Sequence, residues 1–285
     1  MAQPQVSSAA ATAYTLASVQ ATQALRERVA HAVTLIWRSL GVYRNAQMAE
    51  FTAQAVPLVE AAMAQMSSLT AGYLALHSQE AGFSAVPVGV PTPTVQSVRG
   101  VPASEVYGRP FHLVWRELGA HNPVDAAIKS GLDRAVETAL TDVQLAKTHT
   151  VQAVTLASPI TARPYWYKRV LEGPKSCALC IVASTQAYHV KGLLPIHPGC
   201  DCSVEPQWTA QPDQVIDPDL LAAAHDAIQE KFGLSDAGAR NPDYRKILLV
   251  HEHSELGPVL TVAGHHFTQR EARRSGLNLD GLPRL

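Results

Sequence analysis

Apolar residues recur at intervals of four and three in Leu25, Val29, Val33, Ile36 and Leu40. That spacing sets them on one face of a helix, with polar and small residues turned the other way. Gly41 follows and predicts a left-handed cap. A second run, Met48, Phe51, Ala55, Val59, Ala62, Met66, Leu69 and Tyr73, repeats the pattern, with Pro57 expected to kink it. Joined through Gly41-Val42-Tyr43, the two runs predict an antiparallel helical hairpin over residues 1–83. A hairpin of two helices cannot cover both stripes by itself. The surplus, including Val33, Ile36 and the methionines Met48, Met63 and Met66, is expected to be shared between a later helix and a docking partner.

Residues 84–102 lose the helical period and carry Pro87, Pro91, Pro93 and Pro102. They read as an extended, semi-rigid connector, open to trypsin at Arg99. The segment 103–157 is helical again. After Asn122-Pro123, a good helix start, Val124, Ile128, Leu132, Val136, Leu140 and Val143 form a stripe that ends at Ser158-Pro159. Beyond residue 157 the prolines and glycines multiply. A cysteine- and histidine-rich segment fills 158–209, and an α+β segment with a tail fills 210–285. In the latter, a helix is expected over Leu220–Phe232, and strands over Lys246–Val250 and Pro258–Val262. The fold class predicted is mainly α: a long N-terminal hairpin plus a further helix, then a small α+β region built on a zinc knuckle.

All four cysteines of the 285-residue chain fall in SCALCIVASTQAYHVKGLLPIHPGCDC, as Cys177, Cys180, Cys200 and Cys202. Two residues between Cys177 and Cys180 let one tight turn aim both sulfurs at a single tetrahedral ion. His197, Cys200 and Cys202 make a second cluster, so five candidates compete for four positions. Cys177, Cys180 and His197 take three of them; the fourth goes to Cys200 or Cys202, Cys200 first. On an extended segment those last two point to opposite faces, and only a bend at Gly199 could turn both to one ion. The metal predicted is zinc in a structural role, because four protein ligands leave no place for a reacting water. Reduced buried thiols, a disulfide pair formed after cell lysis, and a catalytic thiol served by His189 are the competing readings.

Charge narrows the field. With 23 Lys and Arg against 24 Asp and Glu, the net charge is −1, so no global field draws the chain to nucleic acid. A modest basic cluster of Arg270, Arg273, Arg274 and Arg284 could touch packaged DNA or an acidic surface. No apolar run reaches membrane-spanning length, and the first twenty residues lack the pattern of a signal peptide. A soluble protein of a reducing compartment is expected. Enzymatic motifs are weak. Ser176 and Ser184 lack a nucleophile elbow, and His251-Glu252-His253 lacks the spacing of a zinc protease helix. His265 and His266 read as a loop pair. Walker A and dinucleotide glycine motifs are missing.

The run YKRVLEGP from Tyr167, the CxxC, the aromatic Tyr188, the HPGCDC and the later HEHSELGPVL together resemble the MuF-like minor head proteins of tailed phages. The resemblance is to the branch in phages of actinobacteria, whose members are often labelled capsid maturation proteases, and it covers roughly residues 160–265. It implies a minor capsid protein acting in head morphogenesis, with the portal, scaffold and major capsid proteins as partners. It places the protein in the virion, at the inner head and portal region, and in the host cytoplasm during assembly. No membrane is involved. No appended toxin domain is expected beyond residue 265. Proteolysis of scaffold or capsid protein is the alternative activity that the resemblance implies.

Overall fold

The structure is a computed structural model and describes residues 9–83, 89, 92–171, 175–193, 202–210, 213–233, 247–250 and 259–262. The chain divides into a helical unit, up to Arg163, and an α+β unit from Pro164 onward. The coarse prediction, mainly helical with a small sheet region, matches this architecture.

The helical unit opens with α1 (Ala9–Ser39) and α2 (Asn45–Glu80), and Gly41 takes the left-handed φ of 68° at the turn between them. α2 runs on through Pro57. Then come α3 (Val95–Arg99), α4 (Ala103–Gly119) and α5 (Val124–Ala157). α2 packs along both α1 and α5, and α4 lies against α5 and α2. Trp37, fully buried, organises the apolar end: Phe51 meets it edge-on at 5.3 Å, and Phe111 and Tyr43 each at 4.9 Å between ring centroids.

The surplus stripe of the hairpin is taken up inside this chain. Leu25, Val29, Val33 and Leu40 share one core with Val106, Tyr107, Phe111 and Val114 of α4. Met63 and Met66 are equally buried, so these positions pack inward and are not the docking face expected of them. α4 supplies the cover because its apolar residues recur at three and four.

On α5 the predicted stripe is only part of the buried face: Val143 is fully buried and Leu132, Val136 and Leu140 pack against the core, but small residues make up much of the rest. Val124 is 60% exposed, while Ala127, Ala135, Ala139 and Ala146 are fully buried and Gly131 is buried with them. Small residues win because the neighbours come close: a Cβ on Gly131 would lie 2.7 Å from Trp37 Cζ2. Toward the other end, the interface of α1, α2 and α5 turns polar, with Thr15, Thr22, Ser67, Thr70 and Thr150 buried. Helix geometry satisfies many of these hydroxyls locally: Thr70 donates to the Met66 carbonyl at 2.7 Å and Thr150 to that of Ala146. Thr150 also reaches Ser67 Oγ at 2.9 Å.

The end of the proline-rich segment is helical where extended chain is expected. Thr94 and Ser97 form a reciprocal capping box that starts α3, and Gly100 with φ 73° ends it. Val95 is buried in the common core, its amide donates to Glu60 Oε1 at 3.1 Å, and Arg99 is ion-paired to Asp142. Local capping and a buried partner override the composition of the segment.

In the α+β unit, β1 (Trp166–Val170), β3 (Ala187–Tyr188) and β4 (Ser203–Gln207) form one antiparallel sheet in the order β3-β1-β4, and β2 is Lys175–Cys177. The helix α6 (Ala178–Ser184) follows β2 directly, and α7 (Pro218–Phe232) starts at Asp217, whose carboxylate accepts from the Leu220 amide at 2.9 Å. The predicted strands appear as β5 (Ile247–Val250) and β6 (Val259–Val262), paired antiparallel from Ile247↔Val262 to Val250↔Val259. β2 joins their free side, giving the order β2-β5-β6. The strands β1 and β4 carry no clean alternation in sequence. β1 is buried on both faces except at Lys168, which hides the period of two.

Candidate metal centre

Cys177 closes β2 and also caps α6, its Sγ accepting the amide of Cys180 at 3.4 Å. This turn brings the two sulfurs to 3.3 Å, both buried. The strand-to-helix junction forms here because β2 is fixed by pairing with β5, Cys177 facing Leu248 in the register. Tetrahedral zinc with bonds of about 2.3 Å sets its sulfurs about 3.8 Å apart, so a small rotation of either side chain fits this pair to the ion. The pair therefore suits half of a four-ligand site.

The third cysteine of the described residues, Cys202, is 2% exposed and directly precedes β4. Cys177, Cys180 and Cys202 are all thiols in the structure. Among the described residues, no group of three candidate ligands gathers around one point. His197 and Cys200 lie outside the described residues, as do His251, His253, His265, His266 and the basic cluster from Arg270 to Arg284.

Beside the thiols stand Tyr188, the aromatic of the motif, and Arg169, which the sequence pattern gave no role. Arg169, on β1, is 3% exposed; its guanidinium lies 4.6 Å from the centre of the Tyr188 ring and donates to the Gly192 carbonyl at 3.3 Å. Burial pushes the Tyr188 hydroxyl above the usual tyrosine range. Arg169 pulls it back down by charge and by a hydrogen bond, while Cys202 and Cys180 add to the rise. The clue available in sequence was positional: Tyr167 and Arg169, two apart, share a strand face.

The residues considered for hydrolysis fare differently. Ser184 is buried and donates its hydroxyl to the Ile181 carbonyl at 2.7 Å, which occupies the proton a nucleophile would surrender. Ser176 is buried within β2, and His189 is exposed after β3.

The architecture is that of a helical bundle followed by a small α+β unit carrying a buried cysteine pair. Comparison with protein-family models, curated proteins and solved structures finds no match to this chain.

Proposed function

We propose that this chain is a MuF-like minor head protein of a tailed phage, a non-enzymatic component of head assembly whose cysteine-rich unit is held by one structural zinc. Cys177 and Cys180 supply two ligands, His197 a third, and Cys202 or Cys200 the fourth. The observation that carries the reading is the CxxC pair, buried at the turn from β2 into α6 with its sulfurs 3.3 Å apart. It falls within the same ordered motif, CxxC, aromatic, HPxCxC, on which the family resemblance rests. The metal, when bound, links segments of a unit with short strands and supplies folding energy there.

Partners on this reading are the portal, scaffold and major capsid proteins. The test is co-expression with those three proteins of the phage that encodes the chain, followed by mass spectrometry of purified heads. The expected result is the intact chain in heads, in few copies, with the scaffold and capsid proteins at their full lengths. Heads that assemble without it overturn the reading, and defined new termini on scaffold or capsid protein replace it with the protease alternative.

A further inference from the structure

Two thiols meet in the α+β unit, and elements of different kinds hold them. Cys177 is the last residue of β2 and is registered against Leu248 on β5, so the sheet fixes its backbone. Cys180 lies in the first turn of α6, which packs on β1, β2 and β5. The extended backbone of Cys177, at φ −74° and ψ 154°, sets its sulfur over that first turn, where it accepts the Cys180 amide at 3.4 Å. The two sulfurs stand 3.3 Å apart. A disulfide bond is about 2.0 Å long, so the pair must close by about 1.3 Å, a distance that small rotations about the two Cα–Cβ bonds supply. Among the described residues no third candidate ligand gathers with them. Two buried, reduced thiols in contact are the reactants of a disulfide.

We infer that Cys177 and Cys180 form a redox-active dithiol that exchanges with small-molecule disulfides, Cys177 as the attacking sulfur and Cys180 as the resolving one. The order follows from burial, Cys177 being 7% exposed and Cys180 1%. In the first step Cys177 gives its proton to solvent and its sulfur attacks one sulfur of the incoming disulfide. That S–S bond breaks, a mixed disulfide forms on Cys177, and one small thiol leaves with a proton. Cys180 then gives up its proton and attacks Cys177 Sγ. The Cys177–Cys180 bond forms and the second small thiol is released. The chain loses two electrons and two protons, and the incoming disulfide takes them up to become two thiols. This chemistry needs no metal. It also excludes one at these positions, because a sulfur in a disulfide is no longer the thiolate that ligates zinc.

The experiment uses the full chain, reduced, stripped of metal by a chelator, and equilibrated in mixtures of reduced and oxidised glutathione. Acid quenching and alkylation are followed by trypsin and mass spectrometry. Cleavage after Lys175 and Lys191 releases Ser176–Lys191, whose only cysteines are Cys177 and Cys180. Cys200 and Cys202 leave together in Gly192–Lys231. The expected product is Ser176–Lys191 lighter by two hydrogens and restored by dithiothreitol. A cross-link between the two peptides in its place overturns the inference, as does a fully alkylated Ser176–Lys191 in excess oxidised glutathione. A CxxC also closes to some extent in an unfolded chain. Because this fold presets the pair, the equilibrium constant should exceed that of the same chain in urea by about tenfold or more, the worth of fixing one residue's backbone. A constant no larger than in urea overturns the inference. Cys180→Ser should trap the mixed disulfide, seen as one glutathione added to that peptide, and Cys177→Ser should accumulate several-fold less. Equal trapping in the two variants overturns the assignment of the attacking sulfur. Zinc in the protein as purified is measured separately. Protein free of zinc overturns the metal reading and leaves the dithiol in place, whereas zinc-bearing protein whose stripped form does not oxidise overturns the dithiol alone.

Discussion

Gly131 shows what a single missing methyl group does in this bundle. It sits on α5 beneath Trp37 and Val114, both fully buried, and a Cβ there would press on Val114 Cγ2 and lie 2.7 Å from Trp37 Cζ2. Gly131→Ala gains about 1 kcal/mol of helix propensity. It also overpacks a site whose neighbours cannot move into solvent, at a cost of about 1–3 kcal/mol. Packing should win, and urea unfolding should show net destabilisation. Gly72, in α2, provides the contrast: an added Cβ meets nothing within 4 Å, so Gly72→Ala should stabilise by about 0.5–1 kcal/mol. Equal effects at the two sites would show that propensity alone governs both.

At the scale of elements, the short α3 is held by a polar anchor. Asp142, fully buried on α5, accepts from Arg99 and, at 2.9 Å, from the Tyr107 hydroxyl; Arg99 also donates to the Thr138 carbonyl at 3.3 Å. Burial raises the Asp142 carboxyl above its usual range, against the opposing pull of Arg99 and Tyr107. Asp142→Ala leaves a cation and a buried hydroxyl without their acceptor, a change that costs about 3 kcal/mol when one partner of a buried pair is removed. Arg99 should resist limited trypsin digestion in the wild type and be cut early in Asp142→Ala. Equal cleavage in both would show that the anchor does not hold α3. This outcome reverses the sequence expectation for Arg99, and the reason is instructive. The long helices were legible because their periodicity is local, and the same holds for α7 and the β5–β6 pair. The anchor was not legible, because Arg99 and Asp142 are 43 residues apart. Nor was the small-residue part of the α5 face: alanines and Gly131 look neutral in a hydropathy pattern, and only the bulk of Trp37 on α1 makes the smallness of Gly131 necessary. At the buried cysteine pair, the CxxC spacing was sufficient to predict the meeting of Cys177 and Cys180. Arg169 and Tyr188 required the register of a sheet whose strands gave no clear alternation.

Across the whole molecule, the two units are stabilised by different means. The helical unit has one extensive core running from Leu25 to Ala146, built on long helices and the aromatic cluster around Trp37. The α+β unit has strands of two to five residues, and its buried set joins Cys177, Cys180 and Cys202 with Tyr167, Ile181, Leu193 and Ile228. Short strands carry few ladder hydrogen bonds to offset chain entropy, so a bound metal would make the larger relative contribution there. Hydrogen exchange on zinc-loaded and chelator-treated protein separates the two. If the proposed zinc ties this unit together, metal removal should sharply increase exchange in β1, α6 and β4. α2 and α5, covered by the apolar core, should keep their protection. Because exchange through local opening tracks the free energy of that opening, the loss in α6 should match the metal's binding free energy at the working zinc concentration. Exchange that is unchanged throughout would mean that the cysteine-rich unit folds without metal, while acceleration in α2 and α5 as well would mean that the chain unfolds as one cooperative body.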